Sequence, residues 1–319
     1  MTERTFAFVF PGQGSQSVGM LSELAQSFPV IQQTFAEASD ALGKDLWGLV
    51  SDGPREELDQ TENTQPAMLA AGVAVWRCWQ QHDAPRPVLM AGHSLGEYSA
   101  LVAAGALEFG DGVRLVAMRA RLMQAAVPEG EGAMAAVLGL DDDTVVELCA
   151  ANAGGQVLAA VNYNAPGQVV IAGDRDAVER GVTAAKSAGA KRAILLPVSV
   201  PSHCALMRDA AERFGEVLTQ TAVQLPAIEV LHNVTVEPAQ SPEAIRDLLA
   251  RQLYSPVRWV ETVRAMAERG VTLAVEAGPG KVLTGLGKRI DKRIETLPVF
   301  DPAGLNAGLN RALEEIWHA

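Results

Sequence analysis

The chain has 319 residues, 48% of them hydrophobic, enough for a large buried core in one domain or two. Lysine and arginine number 26 against 38 for aspartate and glutamate, and the net charge of −12 repels nucleic acid and anionic membrane surfaces, leaving only local basic patches to bind phosphate. The three cysteines, Cys78, Cys149 and Cys204, form no C-x-x-C pair and no Cys/His metal-ligand spacing, so neither a disulfide framework nor a zinc site is expected, and a reducing cytoplasm fits best.

The first residues run directly into a short apolar stretch with no targeting pattern, and nothing later approaches the ~18 apolar residues of a membrane span. Residues 6–10 read as a buried strand, stopped by the turn residues Pro11-Gly12-Gln13-Gly14. Helical patterns follow over 21–42, broken at Pro29, and over 67–80, the second opened by the breaker-rich Thr61-Glu62-Asn63-Thr64-Gln65-Pro66. A second short strand at 88–91 leads into a helix at 95–104 and another at 113–126. This alternation is that of a parallel α/β sheet. The polar, glycine-rich Pro128-Glu129-Gly130-Glu131-Gly132 reads as a linker, after which β-α-β-β-α-β follows at 134–140, 144–152, 157–163, 168–172, 177–188 and 191–196, the ferredoxin-like order. Helices near 206–218, 241–253 and 257–268, strands near 228–231 and 273–275, and an amphipathic C-terminal helix to Trp317 resume the first rhythm. The expected layout is a large α/β domain over 1–128 and 199–319, interrupted by a small ferredoxin-like subdomain over 129–198.

Gly92-His93-Ser94-Leu95-Gly96 matches the G-x-S-x-G elbow and sits where that motif belongs, between an apolar strand and an alanine-rich helix. A strand that turns sharply into a helix brings its ends together, so glycine on both flanks removes a clash and leaves the serine hydroxyl exposed. The Leu95 N–H and the positive end of the following helix are then placed to stabilise an oxyanion on an acyl-Ser94. Gly12-Gln13-Gly14 lacks the third glycine of G-x-G-x-x-G and the Gly-Lys-Ser/Thr of a phosphate loop, but a turn there can offer the Gln13 N–H as a second oxyanion donor. Of the five histidines, His82 and the penultimate His318 read as surface, and the side chain of His93 should point away from its neighbour Ser94. That leaves His203 and His232 as rival bases. Arg119, flanked by Met118 and Ala120, is the arginine of its helix best placed to turn inward and grip a carboxylate.

Taken together, the chain resembles the malonyl-CoA:acyl-carrier-protein transacylases from end to end. The residues that carry the resemblance are Phe10-Pro11-Gly12-Gln13-Gly14-Ser15-Gln16, Thr64-Gln65-Pro66, Gly92-His93-Ser94-Leu95-Gly96-Glu97-Tyr98-Ser99-Ala100, Met118-Arg119-Ala120, Asn162-Tyr163-Asn164 and Val200-Pro201-Ser202-His203. The resemblance implies an α/β-hydrolase-like core with a ferredoxin-like subdomain, Ser94 as nucleophile, His203 rather than His232 as base, and Gln13 and Leu95 as oxyanion donors. It further implies Arg119 as the malonyl-binding arginine, a histidine-orienting backbone carbonyl on Gln252, and Gln252, Asn162 and His93 among the residues around the substrate. No acidic third triad member is implied, unlike ordinary hydrolases. The implied reaction is ping-pong transfer of malonyl from malonyl-CoA to the phosphopantetheine thiol of acyl carrier protein, in fatty-acid or alternatively polyketide synthesis, by a cytoplasmic monomer without cofactor or metal. Modular relatives that select malonyl show His-Ala-Phe-His where this chain has Val200-Pro201-Ser202-His203, so preference over methylmalonyl rests on similarity to freestanding enzymes. An acidic carrier needs a local basic patch on this acidic chain, and Lys288-Arg289 with Lys292-Arg293 supply the candidate.

Overall fold

A computed structural model describes residues 5–82, 84–198 and 200–317. Five strands, β1 (Thr5–Phe10), β2 (Leu89–Gly92), β7 (Glu229–Leu231), β8 (Val271–Ala277) and β9 (Glu295–Val299), form a parallel sheet in the order β7-β2-β1-β8-β9. Both faces of β1 are buried, and its alternation sorts them. Phe6, Phe8 and Phe10 face one side, where Phe8 meets Trp76 and Trp79 edge-on at 5.1 and 4.8 Å. Ala7 and Val9 face the other, with Trp259, Val263 and Met266. Each fully buried phenylalanine contributes about 1.5–3 kcal/mol, so the central strand is strongly anchored. From β1 the chain crosses to β2 on one side and later to β8 on the other, and the crevice beyond the carboxyl ends of these strands is where ligands bind in such sheets.

The second sheet is antiparallel. It comprises β3 (Gly132–Leu138), β4 (Leu158–Ala165), β5 (Gln168–Asp174) and β6 (Arg192–Leu195) in the order β4-β5-β3-β6, with helices Asp142–Asn152 and Arg175–Ser187, and this is the ferredoxin-like arrangement. One face packs on those two helices through Ala135, Val137, Val169 and Ile171. The other, through Met134, Val161, Val170 and Ala172, covers Cys204 beside His203. A bridge between Asn162 and Val257, with the Tyr163 N–H donating to Val257 O at 3.0 Å and the Val257 N–H to Val161 O at 2.8 Å, ties the edge strand β4 to the parallel-sheet layer.

Three local expectations are corrected. The segment read as breaker-rich belongs to the helix Thr61–Gln80 itself. The missing N–H of Pro66 leaves only the carbonyl of the exposed Glu62 without its helical partner, while Thr64 is secured by its hydroxyl donating to Leu58 O at 2.6 Å. The short helices Leu46–Asp52 and Arg55–Leu58 arise where no periodic pattern was read. Helix Val282–Ile290 and strand β9 form around the stretch read only as a basic patch; the buried Glu276 side chain accepts the Leu283 and Thr284 N–H groups at the start of that helix. Among the described residues, no helix is long and apolar enough to cross a membrane.

Candidate active site

Ser94 leaves β2 with φ 51°, in the left-handed region that costs a non-glycine residue about 1–3 kcal/mol. Its surroundings hold it there. The Ser94 N–H donates to Asn233 Oδ1 at 2.7 Å, and the His93 N–H donates to Phe10 O at 3.0 Å. The flanking glycines leave no room for side chains: a Cβ on Gly92 would lie 1.8 Å from the Gly96 carbonyl carbon, and one on Gly96 would lie 2.0 Å from Phe10 O.

His203, 3% exposed, brings Nε2 to 2.7 Å from Ser94 Oγ. Its Nδ1 lies 2.8 Å from Gln252 O, and because a carbonyl can only accept, Nδ1 carries the proton and Nε2 offers its lone pair to the serine. Burial, and then the neighbouring Arg119 cation, push the His203 imidazolium down to about 3, so the ring is neutral at physiological pH. His232 is elsewhere: its Nδ1 meets Glu97 Oε1 at 2.7 Å in the interior. Glu97 is bonded to His232, Asn233 and Gln252, not to His203, and the group orienting His203 is a backbone carbonyl. His82, in the turn just past the helix Thr61–Gln80, bonds to Cys78 O of that helix, and His318 lies outside the described residues.

Arg119 comes from the helix Phe109–Ala126 and is 2% exposed. Its Nη1 donates to Gln65 Oε1 at 2.8 Å and its Nη2 to Gln252 Oε1 at 3.0 Å, with Ser94 Oγ 3.4 Å away and the Tyr98 ring centroid 5.4 Å from the guanidinium carbon. These partners are neutral, and among the described residues no carboxylate pairs with this cation. Burial depresses its pKa, and the neighbouring Tyr98 and Glu97 act in the opposite direction. A buried cation held by neutral groups is suited to pair with an anion that enters the cavity.

The cavity in front of Ser94 measures about 860 Å³, and Gln13, Leu95, Arg119 and His203 line it together. Among the described residues, no protein acceptor takes the N–H of Gln13 or Leu95, which leaves both free for an oxygen at Ser94. Asn162 also lines it, its Oδ1 buried without a hydrogen-bond partner. His93 lines it too but bonds through Nε2 to Asn164 Oδ1 at 2.7 Å. Gln252 departs from the expected surroundings of a substrate: it is fully buried and its side chain is taken up by Arg119, Ser94 O and Glu97. Of the basic quartet, Arg293 pairs with Asp291 at 2.6 Å and Arg289 donates to Gln168 and Pro166, while Lys288 and Lys292 are exposed. Gln65, Glu97 and Asn233 were not singled out as site residues. They stood inside quoted motifs or beside a rival histidine, and only the fold shows that they meet.

The chain matches the acyl transferase domain family over residues 7–304. It is 56% identical over 306 residues, 96% of this chain and 99% of the relative, to the malonyl CoA-acyl carrier protein transacylase of Salmonella typhimurium. The solved malonyl CoA-acyl carrier protein transacylase of Coxiella burnetii superposes with TM-score 0.96 at 48% identity, covering 98% of each chain. A solved malonyl-transacylase bound to its type II polyketide acyl-carrier protein superposes with TM-score 0.95 at 56% identity, covering 96% of this chain and 99% of that one. With the strained serine, its neutral histidine and the amide-capped arginine in one cavity, the chain belongs to the acyl transferase domain family and, within it, to the malonyl CoA-acyl carrier protein transacylases.

Proposed function

We propose that this enzyme moves malonyl from malonyl-CoA to the phosphopantetheine thiol of acyl carrier protein through a malonyl ester on Ser94, supplying extender units for fatty-acid synthesis. The Ser94 hydroxyl gives its proton to His203 Nε2 as the oxygen attacks the thioester carbonyl. The Gln13 and Leu95 N–H groups receive the oxyanion, each such donor lowering the barrier by about 3–4 kcal/mol. Collapse breaks the carbon–sulfur bond, and His203 returns the proton to the departing CoA sulfur. A carrier thiol then gives His203 its proton, attacks the ester and releases Ser94, which takes the proton back. The Gln252 carbonyl keeps His203 in the one tautomer that can do both.

The observation that carries this reading is Arg119. A hydrolase for neutral acyl groups has no use for a buried cation 3.4 Å from its nucleophile, whereas the malonyl carboxylate would pair with it. Binding would also offset the positive charge that weakens His203, so the base gains strength when the correct substrate is seated. Asn162, with its unpartnered oxygen, and His93 complete the substrate's surroundings, the small sheet acting as a second domain over the site. Lys288 and Lys292 receive the acidic carrier; reversing their charge should raise KM for carrier and leave KM for malonyl-CoA alone, and equal effects on both would count against that surface. A cytoplasmic location fits three buried cysteines, all free.

Initial rates with malonyl-CoA varied at several fixed concentrations of phosphopantetheinylated carrier test the reaction. Parallel double-reciprocal lines are expected of a covalent intermediate, and intersecting lines would contradict it. The solved relative bound to a polyketide carrier favours one second reading, the same transfer into polyketide synthesis, which a comparison of kcat/KM for the two carrier types decides.

A further inference from the structure

Behind the cavity wall lies a buried polar cluster that the reaction does not consume. Glu97 is fully buried, three residues beyond Ser94, and does not line the cavity. Its Oε2 accepts the Gln252 Nε2–H at 2.8 Å and the Asn233 N–H at 2.9 Å; its Oε1 lies 2.7 Å from His232 Nδ1. With His232 protonated at Nδ1, three N–H donors converge on one carboxyl group.

Each of the first two partners continues to a different part of the site. The Gln252 side-chain amide has an acceptor end and a donor end, and the structure uses both: Oε1 accepts from Arg119, while Nε2 donates to Glu97 and, at 3.0 Å, to Ser94 O. Reversed, the amide would set N–H against N–H at the guanidinium and oxygen against oxygen at Glu97. An acceptor at position 97 therefore selects the orientation that supports Arg119. Asn233 spans the elbow, its Oδ1 accepting the Ser94 N–H at 2.7 Å and its Nδ2 donating to Gly92 O at 2.6 Å, across the residues that carry the left-handed Ser94. The Asn233 backbone is in turn pinned by Glu97.

We infer that Glu97 is a positioning residue with two branches, one through Gln252 that sets the carboxylate anchor Arg119 and one through Asn233 that sets the nucleophile Ser94. The inference rests on the transfer reading above. An interior made only for stability needs neither branch, since an apolar group of similar volume fills the same space without desolvating a carboxyl group. Glu97 touches no reacting atom, so its loss acts through its partners: a freed Gln252 amide misplaces Arg119, which costs malonyl far more than acetyl, and a freed Asn233 loosens Ser94, which matters to every acyl group alike.

The test compares wild type, Glu97→Gln and Asn233→Ser. First, wild type incubated with malonyl-CoA must form the Ser94 ester; failure there removes the transfer reading, whatever the variants do. Next, transfer from malonyl-CoA and from acetyl-CoA is measured, together with inactivation by a serine-directed sulfonyl fluoride, which reports Ser94 without needing Arg119. Glu97→Gln leaves one acceptor oxygen for three donors, so its malonyl-over-acetyl preference should fall about tenfold, through a raised KM for malonyl-CoA, and its inactivation should slow as well. Asn233→Ser should slow inactivation and leave the preference where it was. If Glu97→Gln melts lower yet loses malonyl and acetyl transfer in equal proportion at unchanged KM, or if its malonyl preference holds or rises, Glu97 is not a positioning residue. If Glu97→Gln does not fold, Asn233→Ser decides the matter: a preference that shifts along with inactivation, or inactivation at the wild-type rate, overturns the two-branch assignment.

Discussion

On the parallel-sheet side of the cavity, Ser94, His203 and Arg119 are each held by two or more hydrogen bonds, and the atoms that hold them come from separate stretches of chain. On the antiparallel-sheet side, the wall is Glu129, Gly130, Met134, Asn162, Arg175 and the segment from Leu196 to Val198, a mixture of apolar and polar groups in which Arg175 donates to Gly130 O and the Asn162 amide oxygen lacks a partner. The contrast separates two tasks. A strained serine and a buried cation persist only where neighbouring groups over-determine them, so chemistry is confined to the first wall. The second wall shapes the space, and small changes there alter fit rather than mechanism.

The comparison can be broken first at the elbow. Gly92→Ala places a methyl group 1.8 Å from the Gly96 carbonyl carbon, so the turn cannot close; no Ser94 acylation should be detectable by mass, even where circular dichroism shows folded protein. Next comes the anchor. Arg119→Ala should lower kcat/KM for malonyl-CoA by about 10²–10³-fold while acetyl-CoA is affected far less, and an unchanged ratio between the two would remove Arg119 as the carboxylate partner. Smaller but specific is the pH dependence. A lowered histidine pKa keeps the base neutral as pH falls, so the acid limb of kcat/KM attributable to His203 should lie well below 6.5. Arg119→Ala removes one cause of the lowering, and its limb should move to higher pH; acetyl-CoA is the substrate for this comparison, since its acyl group does not titrate. The same depression makes stability acid-sensitive: as pH falls below 6.5 the unfolded chain protonates His203 while the folded chain refuses the proton until about 3, so the His203 contribution is lost across that window. The smallest effect belongs to the second wall, where Asn162→Ala should change kcat/KM by less than about tenfold, as one neutral hydrogen bond allows. A loss as large as that of Arg119→Ala would give the small sheet a part in the chemistry.

Legibility in the sequence follows the same division. The elbow was readable because its demand is local: strand, glycine, serine, glycine and helix are contiguous, and sterics within five residues explain the pattern. The ferredoxin-like order was readable from alternating strand and helix patterns. Residues alone left His203 and His232 as rivals, and the resemblance to a family chose between them; in the structure, His232 is bonded to Glu97 and His203 to Ser94. The start of the helix at Thr61 is hidden from a pattern reading because a proline normally breaks a helix, whereas here the one carbonyl that Pro66 orphans belongs to exposed Glu62, where water can satisfy it, and the helix runs through. Gln65, Glu97 and Asn233 were the hardest to see. Their partners lie as far as 155 residues away, as for Glu97 and Gln252, and no spacing rule reports contacts made by tertiary packing.

The central claim is that Ser94 carries a malonyl group on its way to a thiol. Intact-protein mass spectrometry after brief mixing with malonyl-CoA tests it most directly, with Ser94→Ala in parallel. The account predicts a malonyl-sized adduct on Ser94 of the wild type that disappears when carrier thiol is added and reappears on the carrier, with no adduct on Ser94→Ala. An adduct on another residue, or loss of the wild-type adduct to water as fast without carrier as with it, would contradict it.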